Sequence, residues 1–126
     1  MGKYTQFITH KGKRILFVNG AGLSEAECLI AFEEMKQALL KEGTGVLVLA
    51  DVTHLKMSKA LVDKAKEAVA ATKAIGIKDK PNAVVGLTGL QKAVAQLFAS
   101  KEIHFADTVD QAKEWLVKED DKPRRH

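Results

Sequence analysis

Asp51, Thr53, His54 and Ser58 place a carboxylate, an imidazole and two hydroxyls in one short stretch of chain. These are the parts of a nucleophile–base–acid set: a hydroxyl to attack, a histidine to take its proton and an acid to orient the histidine. A hydrolase using His54 with Ser58 or Asp51 is therefore one reading. The strained Gly-x-Ser-x-Gly turn that lifts a nucleophilic serine is absent around Ser58. The plainer reading has Asp51 and Thr53 tying down a loop, His54 in solvent and Ser58 capping a helix. We adopt it, assign no catalytic residue and expect no enzyme.

Other chemistry-bearing residues are thinly spread. Gly20-Ala21-Gly22 resembles the start of a dinucleotide fingerprint, but Glu25 stands where the third glycine belongs and no P-loop Gly-Lys-Ser/Thr follows. No cofactor is expected. His10, His54, His104 and His126 occur singly, without a second ligand at helical or hairpin spacing, so no metal site is expected. Cys28 lies beside apolar residues in a helical stretch and reads as a structural thiol.

Positioning the Asp51–Ser58 stretch falls to the run before it, Gly45-Val-Leu-Val-Leu-Ala-Asp51. It is too short and too unbroken for an amphipathic helix. Such a run reads as a strand buried on both faces of a parallel sheet. Asp51 then marks its carboxyl end, where open α/β sheets place their ligand sites.

The remaining chain supplies alternating elements. Tyr4–Thr9 and Arg14–Val18 read as strands joined by a turn at His10-Lys11-Gly12-Lys13. Ser24 and Glu27 form a capping box for a helix that runs to Glu42 and stops at Gly43. Leu29, Phe32, Leu39 and Leu40 share its apolar face, with Ala26 at the edge. Lys36 intrudes and must snorkel.

Ser58 caps a second helix to about Ile75, with Leu61, Ala65, Ala68, Thr72 and Ile75 as its stripe. Asn82–Thr88 is a strand in which Gly86 signals a bulge or close backbone approach. Gly89 opens a helix carrying Leu90, Ala93, Val94, Leu97 and Phe98. Ile103–Ala106 is a short strand. Thr108, with Gln111 three residues on, caps the last helix, where Val109, Ala112 and Leu116 face inward beside Trp115.

The order β-β-α-β-α-β-α-β-α implies one α/β domain with a mixed five-stranded sheet, the first strand antiparallel, and four helices. The expected core includes Val46, Val48, Leu61, Val84, Val85, Leu97 and Leu116. The helix starts at Ser58, Gly89 and Thr108 all follow strands and should gather at one sheet edge. Their N–H groups there could hold an anion or a partner's carboxylate, unless Ser58 and Thr108 satisfy them.

Composition narrows the classes. A chain of 126 residues is long enough for one domain with a real core. Net charge is +4 and the isoelectric point near 9.2, with Lys and Glu interspersed along most of the chain. No arginine cluster interleaved with aromatics appears, so nucleic acid is not an expected partner. No apolar run approaches the roughly 20 residues needed to span a membrane.

Met1–Thr5 lacks a signal-peptide core, and Thr5 does not fit a myristoylation pattern. The lone Cys28 suits a reducing cytoplasm. The stretch from Glu119 to His126, with Pro123, Arg124 and Arg125, reads as a disordered charged tail after a domain over residues 1–118.

Three stretches, Leu49-Ala-Asp-Val-Thr-His-Leu55, Ala83-Val-Val-Gly-Leu-Thr-Gly-Leu-Gln-Lys92 and Phe105-Ala-Asp-Thr-Val-Asp-Gln-Ala-Lys-Glu-Trp-Leu116, resemble the small SpoIIAA-like proteins of the STAS and Sec14-like superfamily. The element order matches over nearly all of residues 3 to 118. The resemblance implies a five-stranded sheet with four helices and a protein-binding regulator, as in anti-sigma-factor antagonists. Those antagonists carry an Asp-Ser-Ser-Gly-like motif whose serine is phosphorylated, disrupting partner binding. Here the segment is Met57-Ser-Lys-Ala-Leu61; the Asp and Gly are absent, and Ser58 alone matches.

The expected function is therefore a non-enzymatic regulatory or interaction module of STAS type. Its partner would be a protein, bound at a rim of Asp51, Thr53, His54, Ser58, Thr88 and Gly89, with Ser58 as the candidate phosphorylation site. The Sec14-like kinship implies an alternative, an apolar or lipid ligand. Cys28, Ile30 and Met35 on the first helix, with Leu97 and Phe98, would line its groove or meet a second copy of the chain in a homodimer.

Overall fold

The computed structural model describes residues 2–43, 46–55, 58–76, 80–86 and 103–121. In chain order these form β1 (Thr5–His10), β2 (Lys13–Asn19), α1 (Glu25–Glu42), β3 (Leu47–Asp51), α2 (Lys59–Ala74), β4 (Asn82–Val85), β5 (Ile103–Ala106) and α3 (Val109–Asp121). The helix expected from Gly89, with Leu90, Ala93, Val94, Leu97 and Phe98, lies outside the described residues. So do Thr88 and the segment holding Arg124 and Arg125.

The strands make one sheet in the order β1-β2-β3-β4-β5. β1 pairs antiparallel with β2, and every other pairing is parallel. The class and the antiparallel first strand are as the alternation of elements predicts. His10 sits opposite Lys13, so Lys11 and Gly12 form a two-residue turn. Both have positive φ, 50° and 79°, the geometry whose twist matches that of the flanking strands.

β3 occupies the middle of the sheet, and Leu47, Val48 and Leu49 are all buried. Strand alternation sends Leu47 and Leu49 to one face, with Ile15, Ala83, Val85 and Ala106, where Ala112 and Leu116 of α3 cover them. Val48 goes to the other face, with Leu16, Val18 and Ala31 of α1. Beside it, Cys28 and Phe32 of α1 meet Leu61 of α2. Helices thus lie on both faces of the sheet. Of the expected core, Val48, Leu61, Val85 and Leu116 are buried, while Val46 and Val84 pack at its margin.

Three details correct the helix reading. The buried face of α1 is centred on Cys28, Ala31 and Phe32; of the expected face Phe32 is buried and Leu29 and Leu39 pack beside the core, while Leu40 is half-buried outside the core clusters. Ala31 packs with Leu16, Val18 and Val48 of the sheet, and Cys28 with Val52, Leu55 and Leu61. α2 ends at Ala74; Ile75 is its C-cap at φ −100° and is 58% exposed, because the stripe stops where the helical turn stops. α3 runs to Asp121, past the Glu119 start expected for a tail. Asp120 there accepts ion pairs from Lys13 (3.1 Å) and Lys80 (3.0 Å), which hold the last turn against the sheet.

Lys36 does snorkel, and its target is specific. Its ammonium lies 3.1 Å from Glu67 of α2 and 3.3 Å from Glu33. Lys64 of α2 pairs with both the same acids, Glu33 and Glu67. The seam between α1 and α2 is thus closed by a four-membered lattice of alternating charge.

Candidate functional site

The carboxyl ends of β2, β3 and β4 lie side by side, and their loops interlock through the backbone. Gly20 N–H donates to Asp51 O (2.8 Å), Gly22 N–H to Thr53 O (2.9 Å) and Val52 N–H to Val85 O (2.9 Å). Gly86, at φ +94°, passes so close to Thr53 that a Cβ on it would lie 2.5 Å from Thr53 Cα. This is the close backbone approach that a glycine within that stretch signals. Asp51 Oδ1 accepts from Thr53 N–H (3.1 Å) and Thr53 Oγ1 (2.6 Å), so the acid folds back on its own loop.

Val52 and Leu55 anchor that loop. Both are buried against Phe32 and Leu61, and Leu55 N–H donates to Val52 O at 3.0 Å. His54 stands at the third position of the resulting turn with φ +64°, the sign a type II turn requires there. A non-glycine residue in this region carries a cost of about 1 kcal/mol. The imidazole is exposed, and among the described residues no hydrogen bond joins it to Asp51 or Ser58.

Ser58 caps α2 as expected, accepting from Leu61 N–H at 3.3 Å. Its hydroxyl hydrogen is also committed, donating to Glu25 Oε1 at 2.5 Å. Glu25 is the rim residue that the sequence reading overlooks. The available signal was an acid in the first turn of α1 directly after the Ser24 cap, but nothing in the spacing says that the start of α2 lies beside it.

The structure brings Asp51, Thr53, His54 and Ser58 to one rim, while Thr88 and Gly89 lie outside the described residues. Asp51 is coupled to Thr53 and Ser58 to Glu25, so these two side chains serve the loop and the helix start. At α3, Thr108 Oγ1 accepts from Gln111 N–H (3.1 Å), and the Gln111 side chain accepts from Asp107 N–H (3.3 Å). Thr108 therefore engages one of the N–H groups at its own helix start.

The remaining candidates are dispersed. His10 Nε2 is 2.9 Å from Glu114, at the far end of the sheet. His104 stacks on Trp115 with ring centroids 4.6 Å apart. No group of three metal-binding side chains occurs among the described residues. Cys28 is fully buried, and desolvation pushes its thiol up to about 11, which disfavours the reactive thiolate. Cys28 and Met35, expected to line an apolar groove, instead pack into the core, and Ile30 remains exposed. Leu97 and Phe98 lie outside the described residues. None of the described helices is long and apolar enough to cross a membrane.

No family model matches the chain, and no curated protein matches it.

Proposed function

We propose that this protein is a non-enzymatic regulatory module of STAS type that binds a protein partner through the rim at Asp51, Thr53, His54 and Ser58, extended by Thr88 and Gly89. The observation that carries this reading is the construction of the loop after β3. Its backbone is locked from both sides by the loops after β2 and β4, and Val52 and Leu55 are buried beneath it. His54 is left exposed on a rigid turn. A preformed, exposed side chain on a fixed loop suits recognition, because little ordering entropy is lost on binding. Asp51 and Ser58, by contrast, are joined to Thr53 and Glu25 rather than to His54. The order of the described strands and helices adds to the resemblance drawn from the three sequence stretches.

Ser58 is the proposed phosphorylation site. A phosphate there would face the Glu25 carboxylate that its hydroxyl now touches. The module is read as cytoplasmic, in keeping with a single buried thiol. Nucleic acid is not its proposed partner: Lys11, Lys13, Arg14, Lys36, Lys59, Lys64 and Lys80 are each neutralised by a carboxylate within the fold.

The test is capture of a partner by the purified protein, repeated with His54→Ala and Ser58→Asp. Both variants should weaken capture by at least about tenfold, as loss of a central contact does. A partner whose binding ignores both would place recognition elsewhere. Reproducible ester or phosphoester turnover that vanishes in His54→Ala would replace this reading with the hydrolase.

A further inference from the structure

Glu34, in the middle of α1, receives three donors from consecutive residues of another segment. Its carboxylate accepts from Lys3 N–H (2.9 Å), Tyr4 N–H (2.7 Å) and Thr5 Oγ1 (3.3 Å). The chain just before contributes by absence: a Cβ built on Gly2 would overlap the Glu34 carboxyl group. One side chain thus latches residues 2–5 across the helix. Hydrogen bonds to a charged acceptor are the stronger class, so this contact outweighs an ordinary surface bond.

Tyr4 then links the strap to the rim by two routes. Its hydroxyl donates to Glu27 Oε2 (3.1 Å), and Glu27 Oε1 accepts from Ser24 N–H (3.2 Å) and Ser24 Oγ (3.1 Å) in the α1 capping box. Its carbonyl accepts from Asn19 N–H (2.8 Å). The next residue, Gly20, donates to Asp51 O, and Gly22 donates to Thr53 O. The ring of Tyr4 packs with Leu23 on the Leu16–Val18 cluster. The loop spanning 19–24 is therefore linked to Tyr4 at both ends, directly at Asn19 and through Glu27 at Ser24, and the same loop braces the Asp51–Thr53 turn.

We propose that residues 2–4 form a strap, latched by Glu34, whose closure holds the rim loop in its binding arrangement. The strap regulates the proposed recognition surface, and its importance for binding rests on that reading. Opening it removes the Tyr4 carbonyl from Asn19 and the Tyr4 hydroxyl from Glu27, so loop 19–24 loses both of its links to Tyr4 and is left to the bonds from Gly20 and Gly22 and to the capping box.

Amide hydrogen exchange of the whole chain, with no partner present, tests the coupling in two variants. Glu34→Ala removes the acceptor. Gly2→Ala keeps it but crowds the carboxylate, which must swing off the Lys3 and Tyr4 N–H groups. In both, exchange at Lys3, Tyr4, Asn19, Gly20 and Gly22 should rise by about tenfold, with Leu49 in the central strand unchanged. Faster exchange confined to Lys3 and Tyr4 overturns the proposal, because the strap would then open without loosening the rim. A uniform rise that includes Leu49 in both variants also overturns it, since Glu34 would be only a general stabiliser. Unchanged exchange at Lys3 and Tyr4 would show that no latch exists. None of these outcomes depends on partner capture, so strap and rim fail separately.

Discussion

Ser58 Oγ donates to Glu25 Oε1 at 2.5 Å, joining the first turns of two helices that start thirty-odd residues apart in sequence. The same oxygen accepts from Leu61 N–H, so the hydroxyl's hydrogen and one of its two lone pairs are used within the fold. Removing the cap with Ser58→Ala should cost about 1 kcal/mol in urea unfolding. Ser58→Asp keeps a capping oxygen but sets a carboxylate against Glu25. Its cost should shrink when Glu25→Gln is added. Equal costs for Ser58→Asp with and without Glu25 would show that the pair is not in contact in solution.

Gly86 and Gly12 both have positive φ, but only one is crowded. Gly12 has open space where a Cβ would go, whereas a Cβ on Gly86 would meet the Thr53 backbone. Gly12→Ala should therefore cost about 1 kcal/mol, the conformational term alone. Gly86→Ala should cost about 3 kcal/mol, because overlap with backbone adds to it. Urea midpoints of the two variants decide the matter, and indistinguishable costs would refute the packing of Gly86 on Thr53.

The lattice between α1 and α2 makes stability fall in acid. Glu33 is held down from an ordinary 4.5 to about 2, first by the hydrogen bond from Lys64, then by Gln37 and Lys36. A lowered carboxylate pKa stabilises the fold above about pH 4.5 and loses that contribution as pH falls toward 2. The Glu33 side chain is 38% exposed, so solvent screening limits the effect to about 1 kcal/mol. Glu33→Gln should flatten the pH dependence of unfolding free energy over that window, and molar salt should shrink the difference. Parallel curves for wild type and variant would discount the lattice.

Cys28 should resist a thiol reagent at pH 8 in the native protein and react at the free-thiol rate in denaturant. Complete burial and a thiol pushed up to about 11 both suppress the thiolate. Rapid native labelling would mean that α1 lifts from the sheet far more often than its packing implies.

Much of the frame is legible in the sequence because it depends on local rules. The Ser24–Glu27 box, the Gly43 stop and the apolar run into Asp51 each specify an element from a few adjacent residues. What the sequence hides is how far each helix is rotated about its axis. α1 carries enough apolar residues for two overlapping faces; Phe32 belongs to the one read from the sequence, and only packing adds Cys28 and Ala31 and drops Leu40. Ile75 fits the α2 stripe by spacing but falls beyond the last helical turn. Glu25 and Glu34 escape for a related reason. Their partners, Ser58 and residues 3–5, are remote in sequence, and an acid on a helix surface carries no mark of what it will meet.

The spatial order of the strands repeats their order along the chain. Each new strand joins at an edge that its predecessor has just created, and none has to be threaded between two already paired. The growing sheet therefore offers an emerging chain a single correct docking edge at every stage, and synthesis from the amino end can proceed without undoing earlier pairings. Loop closure begins with its cheapest step, the two-residue turn at Lys11 and Gly12, before the longer crossovers to β3 and β4 are closed.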